Sequence, residues 1–371
     1  MTQLKPQINI ERLEKLFSEM VDIYSPSGKE AEIVDYLENY LKESGLPVIR
    51  QNVEDDRDNL LVIAPGDNAQ AVFMGHIDTV AAPDYMNYRY SREGDEIYGL
   101  GTADMKGGCA AMIEAFIAYA SANNGNIPAS LALVVGEEET GDGAQAFVNE
   151  YHYPWAIIGE PTGLIPCFSH YGYLEVEIIT YGKRMHASLA HKDHNAIRTM
   201  LNMLLALTQY LDNSRQEVIY NIRDMQSSQA GFVVPDRCSV FIDFHVPPQF
   251  GIGELSFEIE EIVSAQLKNG ILIQDSLIFS TIHAGYDIPQ KGPFPELIKD
   301  AVTSHLIEWK PSFFQSDSDA SILWGAGIKP VILGPGELTM AHTSDESVSL
   351  KEVNKSAELY LSILNSLGDG R

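Results

Sequence analysis

Three apolar runs of this chain lead directly into histidine or acidic residues, the side chains that bind metal ions through nitrogen and oxygen. These residues are His76 and Asp78 after the run 71–74, Glu137, Glu138 and Glu139 after 131–135, and Glu160 after 155–158. Each run has the length of a buried strand. Because ligands of open α/β sheets bind beyond the carboxyl ends of the strands, we expect these side chains to meet in one crevice.

Two further residues could join this group from loops. Asp104 lies in the glycine-rich loop 99–108, directly before a helical pattern, and His342 lies in the run 340–346. A helix N-cap would explain Asp104 by itself; alternatively, the glycines permit backbone angles that let its carboxylate reach between two cations. The loop lacks the Lys-Ser/Thr ending of a phosphate-binding P-loop, so nucleotide binding is not predicted.

A turn, a cap or a solvated acidic surface explains each of these residues singly. Together they provide two imidazoles and three carboxylates without a thiolate, the ligand set of two-metal hydrolases. The set is His76, Asp104, Glu139, Glu160 and His342. Within 137–139, one carboxylate can bind metal while its neighbour takes a proton from water, and the pattern alone leaves open which does which. Asp78 is a candidate to hold the second nitrogen of the His76 imidazole.

The elements between these residues predict how they are brought together. Helical and strand patterns alternate from the helix 107–122 to the strand 155–158, as in a mostly parallel sheet, and a strand at 330–333 belongs to the same domain. We therefore predict an α/β fold with a mixed, mostly parallel sheet and helices on both faces. Helices are also predicted within 8–46 and at 295–308.

A different pattern marks the middle of the chain. Apolar and polar residues alternate with period two at 173–178 and 238–244, and a helical pattern at 196–211 separates them. Such alternation is typical of antiparallel strands with one solvated face. The predicted organisation is a smaller α+β domain at 172–289, inserted into a metal-binding domain made of 1–171 and 290–371.

Composition restricts the partners and the compartment. A chain of 371 residues is long enough for two domains. Its net charge of −27 argues against nucleic-acid binding, which needs basic surfaces. No signal segment or membrane-spanning run is visible, and the three cysteines form no CxxC pair. We expect a cytoplasmic protein with a small-molecule partner and with neither a nucleic-acid nor a membrane partner.

The order and context of these motifs resemble the M20 family of metallopeptidases and N-acyl-amino-acid deacylases, over nearly the whole chain. The matching runs are GHIDTV at 75–80, GLGTADMKGG at 99–108, EEETG at 137–141, GEPT at 159–162 and AHT at 341–343. The resemblance implies a zinc-exopeptidase-like fold with two divalent metal ions. Zinc is expected, with cobalt or manganese as alternatives, because this ligand set accommodates all three.

The resemblance also implies a role for each residue. It assigns His76 and Glu160 to one ion, Glu139 and His342 to the other, and Asp104 to both. Glu138 would be the general base and Asp78 would orient His76. In the family, this run consists of an acid, then the base, then the metal ligand. Glu137 therefore corresponds to the first acid, Glu138 to the base and Glu139 to the ligand.

In the inserted domain, the run 182–188 resembles the family segment whose histidine reaches a neighbouring subunit and stabilises the oxyanion. His186 is the corresponding residue, and this implies a homodimer with the inserted domain as lid and dimerisation unit. Relatives often have an arginine at the position of His245, where it binds the substrate carboxylate; histidine is a weaker and pH-dependent anion partner. Asp319, Gly334 and Gly336 lie in runs that resemble loops lining the substrate pocket.

We therefore predict hydrolysis of the amide bond of a small N-acyl amino acid. Within the family, the chain most resembles the acetylornithine deacetylase and succinyl-diaminopimelate desuccinylase group, including amino-group-carrier lysine hydrolases. A carboxypeptidase or dipeptidase acting on short peptides is the alternative of the same fold. The alternative from another class is an inactive metal-binding dimeric scaffold, which only His245 favours.

Overall fold

A computed structural model describes residues 6–66, 69–82, 88–191, 194–228, 231–267 and 276–370. The chain divides into two compact units. Unit 1 comprises Met1–Phe168, Ile288–Phe314 and Ser318–Arg371, and unit 2 comprises Ser169–Asp287 and Gln315–Asp317. Unit 2 overlaps the insertion predicted at 172–289. Its role as lid and dimerisation domain stays a prediction.

Helices and strands alternate between Gly107 and Pro161. The helices are α1 (Ile10–Asp22), α2 (Ala31–Glu43), α3 (Gly107–Ala122), α4 (Asp142–Glu150), α5 (Ala196–Ser214), α6 (Ile252–Leu267), α7 (Pro293–Ser304), α8 (Asp319–Gly325) and α9 (Leu350–Gly368). The first eight strands are β1 (Val48–Glu54), β2 (Arg57–Val62), β3 (Ala71–His76), β4 (Ser91–Glu93), β5 (Glu96–Tyr98), β6 (Ser130–Val134), β7 (Trp155–Pro161) and β8 (Cys167–His170). The others are β9 (Gly172–Tyr181), β10 (Ile219–Ser227), β11 (Arg237–Val246), β12 (Leu277–His283), β13 (Tyr286–Asp287), β14 (Ser312–Phe314), β15 (Lys329–Gly334) and β16 (Ser347–Ser349).

Unit 1 is built around a mixed sheet with the strand order β1-β2-β6-β3-β7-β15-β8. Its central strands β6, β3, β7 and β15 run parallel, while β1, β2 and β8 pair antiparallel. Every residue of β3 and β6 is buried, as expected for strands covered on both faces. Helix α3 is apolar on all sides and buried from Gly107 to Ala120. The predicted mixed, mostly parallel α/β fold is confirmed.

Several element boundaries differ from the sequence-based prediction. The helix predicted at 295–308 spans Pro293–Ser304. It begins early because proline fits the first helical turn, and it ends early because Leu306 has a left-handed backbone with φ of 59°. The small sheet β16-β5-β4 was not predicted, since strands of three residues are too short to show a period.

Unit 2 contains an antiparallel sheet with the strand order β10-β11-β9-β12. Leu174, Val176 and Ile178 of β9 alternate into a core shared with helices α5 and α6, while Tyr173 and Glu175 lie on the opposite, partly exposed face. The sequence predicted this alternation of buried and partly exposed side chains. No helix in the described part of the chain combines the length and apolar character needed to cross a membrane.

Candidate metal centre

His76 is the last residue of β3, and Asp78 follows it at the sheet edge. The His76 Nδ1 atom lies 3.1 Å from the main-chain oxygen of Asp78 and 3.7 Å from its carboxylate. The Asp78 carboxylate accepts hydrogen bonds from Glu137 N at 3.2 Å, Glu138 N at 3.1 Å and Ser27 Oγ at 2.6 Å. Asp78 thus holds His76 through its carbonyl, and its carboxylate fixes the acidic turn after β6.

Asp104 lies in an irregular turn, Thr102–Lys106, directly before α3. One carboxylate oxygen is 3.1 Å from His76 Nε2 and the other is 3.4 Å from His342 Nε2. The carboxylate thus reaches towards two histidines with separate oxygens, which is the arrangement that a bridging metal ligand requires.

Two groups of donor atoms share Asp104. His76, Asp104 and Glu160 form the first, and Asp104, Glu138 and His342 form the second, with the donor atoms of each group within 4.8 Å of one another. In the first group, Glu160 Oε1 lies 3.5 Å from His76 Nε2. In the second, His342 Nε2 lies 2.9 Å from Glu138 Oε2.

These side chains fit a pair of cations. Glu160 Oε1 is buried without a hydrogen-bond partner in the described structure. A buried, unpaired carboxylate oxygen is costly unless a cation or donor satisfies it. Oxygen and imidazole donors without thiolate suit zinc, cobalt or manganese.

The three glutamates of the acidic run differ in their surroundings, and the predicted roles of Glu138 as base and Glu139 as ligand stay predictions. Glu138, rather than Glu139, occupies the position beside Asp104 and His342, and Glu137 Oε2 lies 3.8 Å from His76 Nε2. Glu139 is exposed and belongs to neither group. The reason is that Asp78 accepts the main-chain N–H groups of Glu137 and Glu138, which turns those two residues towards the site.

The crowding of acids around the histidines changes how each group ionises. Hydrogen bonds to Asp104 and Glu138 raise the pKa of His342 to about 10. Burial alone would lower the pKa of His76, but the carboxylates of Glu137 and Glu160 raise this pKa well above its ordinary value. Burial and neighbouring carboxylates raise the pKa values of Glu137 and Glu160 well above their ordinary range. The site therefore attracts positive charge.

Three other predicted residues also lie in unit 1. Asp319 is the buried first residue of α8, and its negative charge raises the pKa values of Glu137 and Glu160. Gly334, at the end of β15, packs so closely on the main chain of Gly159 and Glu160 that a Cβ atom would collide with it. Gly336 has a φ of 90°, which favours glycine. Both glycines thus have packing or backbone reasons besides the predicted substrate role.

The remaining two predicted residues belong to unit 2. His186 is exposed, and its Nδ1 atom lies 2.7 Å from Ser188 Oγ. His245 in β11 lies beside the ring of Tyr173 at 5.4 Å, and its Nδ1 atom is buried without a hydrogen-bond partner in the part of the chain that the structure describes. Their proposed contacts with substrate or a second subunit remain predictions.

Sequence reasoning missed Glu346, although it ends the run 340–346 that contains His342. Its carboxylate is buried and accepts hydrogen bonds from the loop that carries Asp104. It also missed Lys106, whose buried Nζ donates to the carbonyls of Met20 and Ile23. The available signal was a charged residue within four positions of a predicted ligand, which a single sequence does not distinguish from solvated charge.

A cavity of about 710 Å³ adjoins the loop after His342. Its walls include Tyr88, Arg89, Tyr98, Asp345 and Glu346, all in unit 1. This volume lies within the range of small-molecule sites.

Comparison with known proteins gives a consistent family. Residues 72–366 match the sequence profile of Peptidase family M20/M25/M40. A succinyl-diaminopimelate desuccinylase of Corynebacterium glutamicum is 27% identical over 370 residues, covering 94% of this chain and 95% of that protein. A LysW-lysine/LysW-ornithine hydrolase of Sulfurisphaera tokodaii is 26% identical over 372 residues, covering 98% of both. The crystal structure of a tripeptidase from Staphylococcus aureus superimposes with a TM-score of 0.81 at 20% identity, over 98% of this chain and 99% of that chain.

Proposed function

The chain belongs to Peptidase family M20/M25/M40 and is a hydrolase of a metal-dependent family, and we propose that it cleaves the amide bond of a small N-acyl amino acid. The observation that supports this most directly is the pair of donor groups that share Asp104. The desuccinylase and the LysW-lysine/LysW-ornithine hydrolase, which align over nearly the whole chain, favour an acylated amino-acid substrate.

The proposed ligands are His76 and Glu160 for one divalent cation, Glu138 and His342 for the other, and Asp104 for both. Bound cations supply Lewis-acid polarisation of the scissile carbonyl. Zinc is our first choice, with cobalt or manganese as alternatives. The orphaned oxygen of Glu160 and the crowded carboxylates support this assignment.

We assign the general base to Glu137, one residue before the base implied by family resemblance. Its carboxylate is largely buried, lies 3.8 Å from the His76 imidazole and is outside both donor groups. It would take a proton from the attacking water and return it to the leaving amine when the C–N bond breaks. Burial raises its pKa well above the ordinary value. The alternative register keeps Glu138 as base and Glu139 as ligand.

We further propose that the enzyme is a cytoplasmic homodimer in which unit 2 acts as lid and dimerisation domain and His186 stabilises the oxyanion of a neighbouring subunit. The exposure of His186 is compatible with a contact to another chain. The three cysteines are buried and free, as in a reducing compartment. Asp319, Gly334, Gly336 and His245 are retained as candidate substrate contacts.

Peptide hydrolysis is the second candidate. It is admitted by the match to Peptidase family M20/M25/M40, whereas the likeness to the tripeptidase structure at 20% identity supports the fold alone. A substrate panel separates the two activities: N-acetylornithine, N-acetyl-lysine and succinyl-diaminopimelate against a set of dipeptides. Faster turnover of the acylated amino acids supports the deacylase, and faster turnover of dipeptides supports the peptidase.

Three matched variants test the base, because each neutralises one carboxylate of the same turn. They are Glu137→Gln, Glu138→Gln and Glu139→Gln, assayed for hydrolysis and for bound metal. We expect Glu137→Gln to keep about two ions per chain and lose roughly 10²–10⁴-fold in kcat. Glu138→Gln should bind metal more weakly, and Glu139→Gln should resemble the wild type.

The opposite pattern would restore the family register. In that case, Glu138→Gln keeps its metal but loses turnover, and Glu139→Gln loses metal. A wild-type protein that binds about two ions per chain yet hydrolyses no member of the panel would favour the inactive scaffold.

A further inference from the structure

We propose that Glu346 is a positioning residue for the metal centre: it locks the main chain of Asp104 to the loop that carries His342. This inference rests on the proposed metal ligands. It goes beyond them because Glu346 is a member of neither donor group: its carboxylate contacts the main chain of Asp104, and its own loop carries His342.

The Glu346 carboxylate satisfies three main-chain donors of the Asp104 loop. Oε1 accepts from Ala103 N at 2.9 Å and from Asp104 N at 3.1 Å, and Oε2 accepts from Gly101 N at 2.9 Å. Glu346 is only 4% exposed. Buried main-chain N–H groups need partners, so the carboxylate determines the path of this loop.

Regular helix geometry does not hold this loop at Asp104. Asp104 and Met105 have non-helical backbone angles, with φ of −120° and −129°. The regular helix α3 begins only at Gly107. The direction of the Asp104 carboxylate therefore depends on side-chain hydrogen bonds more than on helix geometry.

The main chain of Glu346 also connects the Asp104 loop to the loop that carries His342. Its carbonyl accepts from Gly99 N at 3.2 Å, and the next residue, Ser347, pairs with Tyr98 in the β16·β5 ladder. His342 lies four residues earlier in the same loop, with a left-handed backbone of φ 59°. Glu346 thus sets the spacing between the two loops that provide Asp104 and His342.

The two donor groups allow a positioning role of Glu346 to be distinguished from a general contribution to stability. Asp104 belongs to both groups, but its partner in the second group, His342, lies in the loop of Glu346. The other members of the first group, His76 and Glu160, are held by strands β3 and β7. A defect at Glu346 should therefore weaken the His342-side ion more than the His76-side ion. A purely structural role would lower the melting temperature without selecting one ion.

The test is titration of the metal-free protein with Co²⁺ alone, followed by calorimetry and by the visible absorption of the bound ion. In Glu346→Gln, an amide N–H replaces an acceptor facing main-chain donors. We expect the weaker of two binding steps to lose about 10–100-fold in affinity, as for other residues that orient metal ligands. Glu346→Asp, which keeps the charge on a shorter stem, should recover part of that loss.

Glu114→Gln is the matched control. Glu114 is equally buried in α3 and accepts from Asn9 N and Arg12, but it belongs to neither donor group. This control should lose stability while keeping wild-type Co²⁺ affinities and spectrum.

Wild-type affinities and spectrum in folded Glu346→Gln would overturn the proposal. If that variant does not fold, Glu346→Asp decides: unchanged Co²⁺ binding overturns the proposal and selective weakening supports it. Failure of the proposed function is distinguishable, because a wild-type protein that hydrolyses no substrate can still bind Co²⁺ in two steps. If the proposed metal centre itself is wrong, the wild type does not take up a second ion.

Discussion

Histidines of the two units occupy opposite electrostatic environments. In unit 1, His76 and His342 lie between carboxylates, which raise the pKa of each imidazole. In unit 2, burial lowers the pKa of His170 to about 4 and also lowers the pKa of His245. Imidazoles among acids favour positive charge, whereas those packed on aromatic rings stay neutral. The difference indicates that the cation-binding chemistry belongs to unit 1.

The packing around His170 explains its lowered pKa. The ring of His170 stacks on Tyr286 at 5.3 Å, and its Nδ1 atom donates to the carbonyl of Tyr171 at 2.5 Å. A single carboxylate, Asp317, pairs with His283 at 2.7 Å. Without several converging acids, these histidines form neither of the donor groups found in the described chain.

The largest expected effect comes from removing the shared carboxylate of unit 1. Asp104→Asn should lower the rate of hydrolysis by more than about a thousandfold. Loss of a residue that only orients a metal ligand already lowers metal affinity or activity by about 10–100-fold. Bound metal, counted by elemental analysis, should fall with it. Asp243→Asn, which neutralises a buried acid of unit 2, should keep its metal content. Equal metal loss in both variants would contradict the comparison.

Metal removal should destabilise the protein through unit 1. Ions that bind only the folded chain add about 4 kcal/mol to the free energy of unfolding when their free concentration is about 1,000 times Kd. Chelation should therefore lower the melting temperature of the wild type but not that of Asp104→Asn, measured by calorimetry. A similar response in both proteins would place the stabilising ions elsewhere.

Acid should destabilise the fold through His170 of unit 2. The unfolded chain protonates this histidine near pH 6.5, whereas the folded protein does so near pH 4. Unfolding therefore takes up a proton between these values, and stability falls as the pH drops from 6.5 to 4, by about 3 kcal/mol in all.

Denaturant unfolding of the wild type and His170→Asn across this range measures the effect. The variant should show the shallower decline, because it lacks the titrating imidazole. Parallel curves for the two proteins would show that His170 does not titrate abnormally.

The smallest effect is expected at His245. Its replacement by arginine adds a permanent positive charge that binds carboxylates with two parallel hydrogen bonds. KM for a carboxylate-bearing substrate should fall by about tenfold, a modest charge-assisted contribution. KM for the corresponding carboxamide should stay unchanged, and an equal change for both would remove His245 from the candidate substrate contacts.

The sequence by itself determined the residue types of the site and the elements that carry them. His76, Asp104, Glu160 and His342 each follow a strand or lie in a loop with a recognisable local pattern, and the structure brings all four together. Helix 107–122 was predicted with its observed ends. These features are local, because apolar period, glycine content and strand length are properties of neighbouring residues.

Only the tertiary structure decided the contacts of the acidic run and the surroundings of each charge. The N–H groups of Glu137 and Glu138 donate to Asp78, which follows another strand, whereas Glu139 is exposed. Glu346 meets the Asp104 loop across more than 240 residues of sequence. Hydrogen bonds and burial between distant segments fix these arrangements, and no local pattern in a single chain encodes them.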